Sequence, residues 1–363
     1  MENQNVKNYK CPCCGSQLFF DASSGNLHCN SCKNDFSTET MEQLEEAETA
    51  SAENKYDWEA YTPRDFGEGE SEGFSGYSCP SCGAEVIGDS TMAATICPYC
   101  GNSEIIKKQF EGALRPDLVL PFRITKEQAF NSFELACKKA PFLPKEFKKN
   151  SKIEKMTGVY VPFWLYDCKC RANINFSAER VSTWSDSKYD YVKTDYYKII
   201  RAGTIDFEKI PVDGSKKADD AYMDALEPFD YSAAVPFDAV YLSGFLADKY
   251  DVTSKESEPR ANNRVKKSTE AAFADTVKGY MAVMPTSSAV SFSDGKVRYG
   301  LLPVWMLNIK YKDLIYQYAI NGQTGKTVGK YPICKRKRAA FFSGVLAASF
   351  AVCLVAAKIF GLF

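Results

Sequence analysis

The chain has 363 residues, which is enough for two or three domains, and a hydrophobic fraction of 45% that can form a buried core. Its 14 cysteines follow a polar start without an apolar signal-peptide segment, which argues against a secreted disulfide-bonded protein and predicts a reducing cytoplasm. The net charge of −1 hides an asymmetry: residues 1–110 contain 7 basic and 18 acidic residues, whereas residues 111–363 contain 38 and 28.

Two segments near the start share the cysteine spacing C-x2-C-x14-C-x2-C. A C-x-x-C turn directs two thiolates at one point, and a second such turn completes the tetrahedron that Zn²⁺ prefers. All four positions are filled in each segment, so each site is closed and therefore structural rather than catalytic. We predict two zinc ribbons, each with one structural Zn²⁺. The eight predicted metal ligands are Cys11, Cys14, Cys29, Cys32, Cys79, Cys82, Cys97 and Cys100.

Three of the four C-x-x-C turns continue into a glycine, at Gly15, Gly83 and Gly101. Glycine allows the positive φ angle that folds backbone N–H groups toward the sulfurs. Cys13 and His28 are additional donors inside the first ribbon. Two interpretations of them stay open: a position near or outside the metal site, or a role in ligand exchange or thiol redox chemistry.

The chain divides into five predicted parts, and the fold class is two small zinc-ribbon β modules, an α+β domain and a C-terminal transmembrane helix. The acidic linker contains a predicted short helix from Thr38 to Ala50, and also aromatic residues that are unusual in a spacer, so either a spacer or partial docking is open. The predicted parts are residues 1–36 (ribbon 1), 37–76 (acidic linker), 77–110 (ribbon 2), 111–334 (α+β domain) and 335–363 (basic collar and transmembrane helix).

The α+β domain is predicted from several local patterns. Thr125, followed three residues later by a glutamine, predicts a capping box that begins a helix. Aromatic and β-branched residues predict strands over 160–175 and 189–205, and again over 297–310 and 312–320. A further helix is predicted over 259–278, with Pro259 at its first position. Trp164 and Trp305 each follow a proline by two residues; they are interpreted as packing residues, with an aromatic ligand pocket as the alternative.

The C-terminal segment has the pattern of a membrane anchor. The basic run Lys335–Arg338 precedes 19 uncharged residues, Ala339 to Ala357, which as a helix would span about 28 Å, close to a bilayer core. Basic flanks stay on the cytoplasmic side, so the sequence predicts a single-pass membrane protein with most of the chain in the cytoplasm.

Zinc ribbons often bind nucleic acid, but neither ribbon contains the clustered lysines and arginines that phosphate binding requires. Phe19 and Phe20 are expected to form the small core of ribbon 1. No nucleophile, base or carboxylate pair forms a recognisable catalytic set, and the single histidine lies inside a ribbon. No small-molecule substrate is identified.

Several motifs together resemble a family of bacterial membrane-anchored double zinc-ribbon proteins, often labelled with a transcription-factor-IIB-type zinc ribbon. The resemblance implies that the eight cysteines bind zinc and that no catalytic residues are present. It also implies a role in recruiting flotillin-like (SPFH-domain) partners to the membrane under envelope stress. The motifs are Cys11-Pro-Cys-Cys-Gly15, Cys79-Pro-Ser-Cys-Gly83, Cys97-Pro-Tyr-Cys-Gly101, the segment from Tyr160 to Asp167, Glu227-Pro-Phe-Asp-Tyr231, and the segment from Tyr241 to Asp251.

The function predicted from the sequence is therefore that of a non-enzymatic, zinc-binding, tail-anchored membrane adaptor that recruits or scaffolds a cytoplasmic protein. The alternative is a nucleic-acid-binding regulator tethered to the membrane by the same helix.

Overall fold

The computed structural model describes residues 9–51, 56–67, 69–89, 96–108 and 114–359. The last four residues of the predicted basic collar and transmembrane segment, 360–363, lie outside the described residues. The helices are α1 (Thr38–Ser51), α2 (Lys126–Lys139), α3 (Lys145–Asn150), α4 (Asp220–Ala225), α5 (Ser254–Asp275) and α6 (Lys335–Ile359).

The strands include two of 30 residues each and several of only two or three. In chain order they are β1 (Leu18–Asp21), β2 (Asn26–Cys29), β3 (Asp35–Ser37), β4 (Tyr56–Trp58), β5 (Phe74–Ser78), β6 (Glu85–Asp89), β7 (Ile106–Lys108), β8 (Leu118–Val119), β9 (Met156–Ser185), β10 (Asp190–Asp213), β11 (Val235–Pro236), β12 (Leu246–Asp248), β13 (Ala282–Tyr311), β14 (Leu314–Asn321) and β15 (Thr327–Gly329).

The residues form two compact units, each assembled from three separate stretches of chain. Ribbon 1 belongs to unit 1 and ribbon 2 to unit 2. This grouping follows spatial contacts, and the five-part division along the chain stays a prediction. Unit 1 comprises Met1–Tyr61, Leu165–Val212 and Ser254–Arg298, and unit 2 comprises Thr62–Trp164, Asp213–Thr253 and Tyr299–Phe363.

In unit 1, α5 packs against the sheet formed by β10 and the unit 1 parts of β9 and β13. The buried side chains of α5 recur every four residues at Ala261, Val265, Thr269 and Phe273, which places them on one face of the helix. The prediction that Pro259 occupies the first helical position is wrong: the helix begins at Ser254 and Pro259 lies inside it. A proline this close to the start has a helix-compatible φ and removes only one backbone hydrogen bond.

Part of the acidic linker is docked in unit 1. Strand β4 pairs in parallel with β13, and the indole Nε1 of Trp58 donates to the side-chain oxygen of Asn262 at 2.8 Å. A Cβ atom at Gly295 would lie 2.2 Å from the carbonyl oxygen of Asp57, so only glycine admits this close approach. Of the two interpretations left open for the linker, docking is therefore correct for β4.

In unit 2, α2 packs against β14, which pairs antiparallel with β13. The Thr125 capping box predicted for α2 is present, with both reciprocal hydrogen bonds. Phe133 and Cys137 are buried on the face that meets Tyr318 and Ile320. The helix ends before Pro141, as the sequence predicts.

The two tryptophans of the repeated Pro-x-Trp pattern are buried in unit 2. The indole of Trp164 donates to the carbonyl of Val252 at 2.8 Å, and that of Trp305 to the carbonyl of Ile124 at 3.3 Å. A buried indole with its N–H satisfied is a packing element, which agrees with the first interpretation of these residues.

At the C-terminus, the segment Lys335–Ala356 of α6 is long and apolar enough to cross a membrane. None of the side chains in its most apolar part is buried within the protein. The length and composition agree with the predicted transmembrane helix.

Candidate metal centres

Ribbon 1 brings its four predicted ligands together. Strands β1, β2 and β3 form a small antiparallel sheet of their own, in which Leu18 pairs with Cys29. The Sγ atoms of Cys11 and Cys32 lie 3.5 Å apart, as do those of Cys14 and Cys29, and all four lie within 4.8 Å of one another.

Ribbon 2 has the same arrangement. The Sγ atoms of Cys79 and Cys100 lie 3.6 Å apart, as do those of Cys82 and Cys97, and the four sulfurs again lie within 4.8 Å of one another. All eight cysteines are free thiols, without a disulfide among them.

Each cysteine turn is closed by a backbone hydrogen bond from the residue four positions after its first cysteine. Gly15, Gly83 and Gly101 donate in this way and have φ angles of 75°, 69° and 73°. In the fourth turn Lys33 occupies the same position with φ 61°, and its N–H donates to the carbonyl of Cys29 at 2.8 Å. Three glycines and one strained lysine therefore form equivalent turns.

The donor set and spacing fit a tetrahedral metal ion. Four thiolates at about 2.3 Å from a central Zn²⁺ lie about 3.8 Å from one another, and the shortest sulfur pairs here, at 3.5–3.6 Å, are close to that value. Four protein ligands leave no coordination position for a substrate, which is the arrangement of a structural site.

The electrostatics of the thiols also favour a cation. Burial raises the pKa of the Cys11 thiol to about 12 and raises the pKa of Cys97 as well. In contrast, hydrogen bonds, first from the Ser16 side chain, lower the pKa of Cys14 to about 6. A central divalent cation offsets the free-energy cost of burying a thiolate, because it stabilises the deprotonated sulfur that coordinates it.

Sequence reasoning missed two asparagines that contact the sulfurs. Asn34 donates from Nδ2 to the Sγ of Cys32 at 3.3 Å, and Asn102 directs its Nδ2 toward the Sγ of Cys79 at 4.0 Å. Both asparagines follow the last cysteine of their ribbon by two residues. The repeated Cys-x-Asn pattern could have identified them.

Ribbon 2 is joined to distant parts of unit 2. Its strand β6 pairs with β12, with Val86 opposite Asp248. The Tyr99 hydroxyl donates to the buried carboxylate of Asp248 at 2.5 Å, and the Asn308 side chain donates to the carbonyl of Pro98 at 2.7 Å. These contacts attach the second cysteine turn of ribbon 2 to β12 and β13.

Ribbon 1 has a small core and an exposed aromatic surface. Leu18, Leu27, Met41 and Leu44 are buried around Cys11 and Cys29. The expectation that Phe19 and Phe20 form this core is wrong: the two side chains are 52% and 61% exposed. Leu18 and Leu27, together with the α1 residues, already fill the space beside the sulfurs.

The additional donors lie outside both four-thiol groups. Cys13 is exposed, and the Nδ1 atom of His28 lies 2.7 Å from a carboxylate oxygen of Asp35 rather than among the sulfurs. Cys168 and Cys170 are buried in the unit 1 core, where the Sγ of Cys170 lies 3.3 Å from the hydroxyl of Thr269. The sequence places these two cysteines on one face of a strand without a second cysteine pair, which predicts buried cysteines rather than a metal site, and their burial agrees with that prediction.

The fold and these sites define a class of protein with two closed four-cysteine modules resembling zinc ribbons, a large β-sheet body and an apolar C-terminal helix. The chain is 33% identical over 345 residues to the uncharacterized protein YdjG of Bacillus subtilis strain 168, a match that spans 95% of this chain and 96% of YdjG. The chain therefore belongs to the same family as YdjG. No family model and no solved structure matches it.

Proposed function

We propose that the protein is a non-enzymatic, zinc-stabilised membrane adaptor that presents a cytoplasmic surface to a protein partner. The observation that carries this proposal is an exposed aromatic hairpin tip, which comprises residues 181–196 where β9 turns into β10. The exposed apolar residues of this tip are Trp184, Tyr189, Tyr191, Val192 and Tyr196.

The hairpin tip is ordered by its own contacts. Trp184 and Tyr191 stack at 5.3 Å between ring centroids and 9° between planes. The Asp186 carboxylate accepts hydrogen bonds from the backbone N–H groups of Lys188 and Tyr189 and from the Tyr191 hydroxyl. Exposed, pre-ordered tryptophan and tyrosine side chains are typical of the residues that dominate binding energy at protein interfaces.

Zinc is the metal proposed for both four-cysteine groups. A tetrahedral set of four thiolates suits Zn²⁺, and iron is the main competitor for such a site. Metal analysis of the purified full-length protein tests this assignment. We expect two zinc ions per chain, and one iron per site would contradict it.

The exposed apolar helix α6 supports a membrane anchor, with the basic segment before it on the cytoplasmic side. The proposed partner, taken from the family resemblance, is a flotillin-like SPFH-domain protein. In this proposal the anchor determines the location and the hairpin tip holds the partner.

Co-purification of the full-length protein with an SPFH-domain partner from detergent-solubilised membranes tests the adaptor. We expect Trp184→Ala combined with Tyr196→Ala to reduce capture by at least about tenfold, since central aromatic contacts each contribute about 2 kcal/mol or more. Leu135→Ala combined with Val240→Ala is the matched control, because both side chains are similarly exposed but lie outside the tip. Equal capture by both double variants would refute the assignment of the tip.

The exposed Phe19 and Phe20 favour a second candidate, a membrane-tethered nucleic-acid-binding protein, because exposed aromatic rings can stack on bases. The acidic balance of residues 1–110 opposes it. Binding of the full-length protein to single-stranded oligonucleotides, measured against salt concentration, separates the candidates. Tight binding with a steep salt slope that Phe20→Ala weakens would favour the second candidate.

A further inference from the structure

The first turn of α6 is attached to the loop between α2 and α3. The backbone N–H of Cys334 donates to the carbonyl of Phe142 at 2.8 Å, and Nζ of Lys337 donates to the carbonyl of Leu143 at 2.6 Å. The rings of Phe142 and Phe341 meet edge to face, with centroids 5.5 Å apart. Helix α6 is therefore held at its start by three contacts.

These contacts determine where the loop lies relative to a bilayer. The uncharged run of α6 begins at Ala339, so Lys337 and Phe341 lie within one helical turn of its start. If α6 spans a membrane, as the proposed function requires, the part of the helix from Lys337 to Phe341 lies at the level of the lipid headgroups. Phe142 and Leu143 are then at the same level.

Helix α3 follows this loop directly and carries exposed lysines. Phe147 is fully buried, with its ring against Tyr311, Tyr316 and Tyr318, and this fixes the helix on unit 2. The lysines Lys145, Lys148 and Lys149 of the same helix are exposed.

The distances are short enough for strong electrostatic attraction. Lys145 follows Leu143 by two positions, a span of at most about 7 Å, and the six residues of α3 add about 9 Å. The Debye length is about 8 Å at physiological ionic strength, so these ammonium groups lie within one to two Debye lengths of the headgroup level.

The charge around α3 has one dominant sign. Residues 138–155 contain seven lysines and two glutamates, Glu146 and Glu154. Exposed acidic groups on this segment are therefore too few to neutralise it.

We propose that α3 is a binding surface for anionic phospholipid headgroups, positioned against the bilayer by the attachment of the α2–α3 loop to α6. This inference rests on the proposed membrane anchor. It assigns a second, electrostatic membrane contact to the folded body, in addition to the helix itself. Each positive charge near an anionic leaflet favours binding by about fivefold, and the three lysines less Glu146 leave α3 with two net positive charges, so the docked arrangement is favoured by about 25-fold.

Hydrogen exchange of the full-length protein in vesicles tests this surface. One set of vesicles contains phosphatidylcholine alone, and the other replaces about one third of it with phosphatidylglycerol. We expect backbone exchange over Lys145–Asn150 to slow by at least about tenfold in the anionic vesicles, and the difference to disappear in about 0.5 M salt.

The combined variant Lys145→Gln, Lys148→Gln and Lys149→Gln should lose this dependence on lipid. The matched control replaces the exposed lysines Lys255, Lys267 and Lys278 of unit 1 with glutamine and should keep it. Exchange that is the same in both lipids, or that responds equally to both triple variants, would overturn the lipid surface.

Alkaline extraction of the same vesicles distinguishes the two proposals. Protein that resists extraction from both lipids but shows no lipid-dependent exchange would refute the α3 surface and leave the anchor intact. Protein that is extracted from both would refute the anchor and the α3 surface together.

Discussion

The two four-cysteine modules have the same ligand spacing but different surroundings. Ribbon 1 has a separate three-stranded sheet and a core of a few side chains, and its Phe19 and Phe20 rings are exposed. Ribbon 2 pairs its strand β6 with β12 and exchanges hydrogen bonds with Asp248 and Asn308. Ribbon 1 contacts the rest of unit 1 through Ile200 and Ala202 of β10, whereas ribbon 2 shares a strand pairing with unit 2. We therefore expect the metal to organise mainly ribbon 1 itself in the first module, and part of unit 2 as well in the second.

The largest difference is expected when one ligand is removed from each module. Cys29 and Cys97 occupy the same position in the spacing, and both are buried. We expect Cys97→Ser to unfold the region around β6 and β12 and to lower the stability of unit 2 by several kcal/mol, because structural zinc contributes roughly 10 kcal/mol or more to folding. Cys29→Ser should unfold ribbon 1 alone.

Metal content and hydrogen exchange check this pair together. Each variant should contain one zinc ion instead of two, whereas only Cys97→Ser should accelerate exchange in Leu246–Asp248. Equal acceleration in both variants would contradict the proposed difference between the modules.

The second-largest effect concerns the contact between Tyr99 and Asp248. Tyr99→Phe removes the hydroxyl that donates to this buried carboxylate, and losing a donor to a buried charged group costs about 1–3 kcal/mol. Ser31 occupies the position equivalent to Tyr99 in ribbon 1 and is exposed, so Ser31→Ala should change stability by less than about 0.5 kcal/mol. Chemical denaturation of the metal-loaded proteins at about pH 8, above the pKa of about 7 to which burial raises Asp248, measures both. Similar losses would show that Tyr99 does not join ribbon 2 to its surroundings.

The sequence predicted the parts of this comparison that depend on local spacing. The eight cysteines and the Thr125 capping box follow from residues only a few positions apart, and the structure places them as expected. The connection of ribbon 2 to Asp248 and Asn308 joins residues about 150 and 210 positions apart. No periodicity or motif in a single sequence records such a contact.

The remaining differences have the same origin. The sequence left both a spacer and a docked segment open for the acidic linker, and the hydrogen bond from Trp58 to Asn262, more than 200 residues away, decides for docking at this position. The start of α5 was predicted at Pro259 because proline favours a first helical turn, whereas the helix extends back to Ser254. In both cases tertiary packing decided what the local residues left open.

The pH dependence of stability should have opposite signs for Asp21 in ribbon 1 and for Asp248, the β12 residue that contacts ribbon 2. Burial raises the pKa of Asp248 to about 7 from its ordinary value of 3.8, so between about pH 4 and pH 7 the folded state holds a proton that the unfolded state has lost. Stability from this group therefore falls as pH rises through that window, by roughly 1 kcal/mol per pH unit. Hydrogen bonds, first from the backbone N–H of Ser23, lower the pKa of Asp21 in ribbon 1, and its contribution is lost as pH falls.

Denaturation of the wild type, Asp248→Asn and Asp21→Asn from about pH 3 to about pH 8 separates the contributions of the two carboxyl groups, because zinc-dependent effects are common to all three proteins. The stability of the wild type relative to Asp248→Asn should fall as pH rises from about 4 to 7. Relative to Asp21→Asn it should fall as pH decreases below about 4. A flat difference for Asp248→Asn would show that this carboxyl titrates alike in the folded and unfolded states.

The smallest expected effect tests the cysteine turns themselves. Lys33 has φ 61° where the other three turns have glycine, and a left-handed conformation costs a non-glycine residue about 1 kcal/mol. Lys33→Gly should therefore stabilise ribbon 1 by about 0.5 kcal/mol, after the greater flexibility of glycine in the unfolded chain is subtracted.

Gly83→Ala is the reverse change in ribbon 2. An added Cβ at this position would meet only the Lys217 ammonium group, at 3.9 Å. The expected cost of about 1 kcal/mol therefore comes from the positive φ angle alone. Zinc release to a chelator should be slower from Lys33→Gly and faster from Gly83→Ala than from the wild type. A faster release from Lys33→Gly would mean that the lysine side chain stabilises ribbon 1 by more than its backbone strain costs.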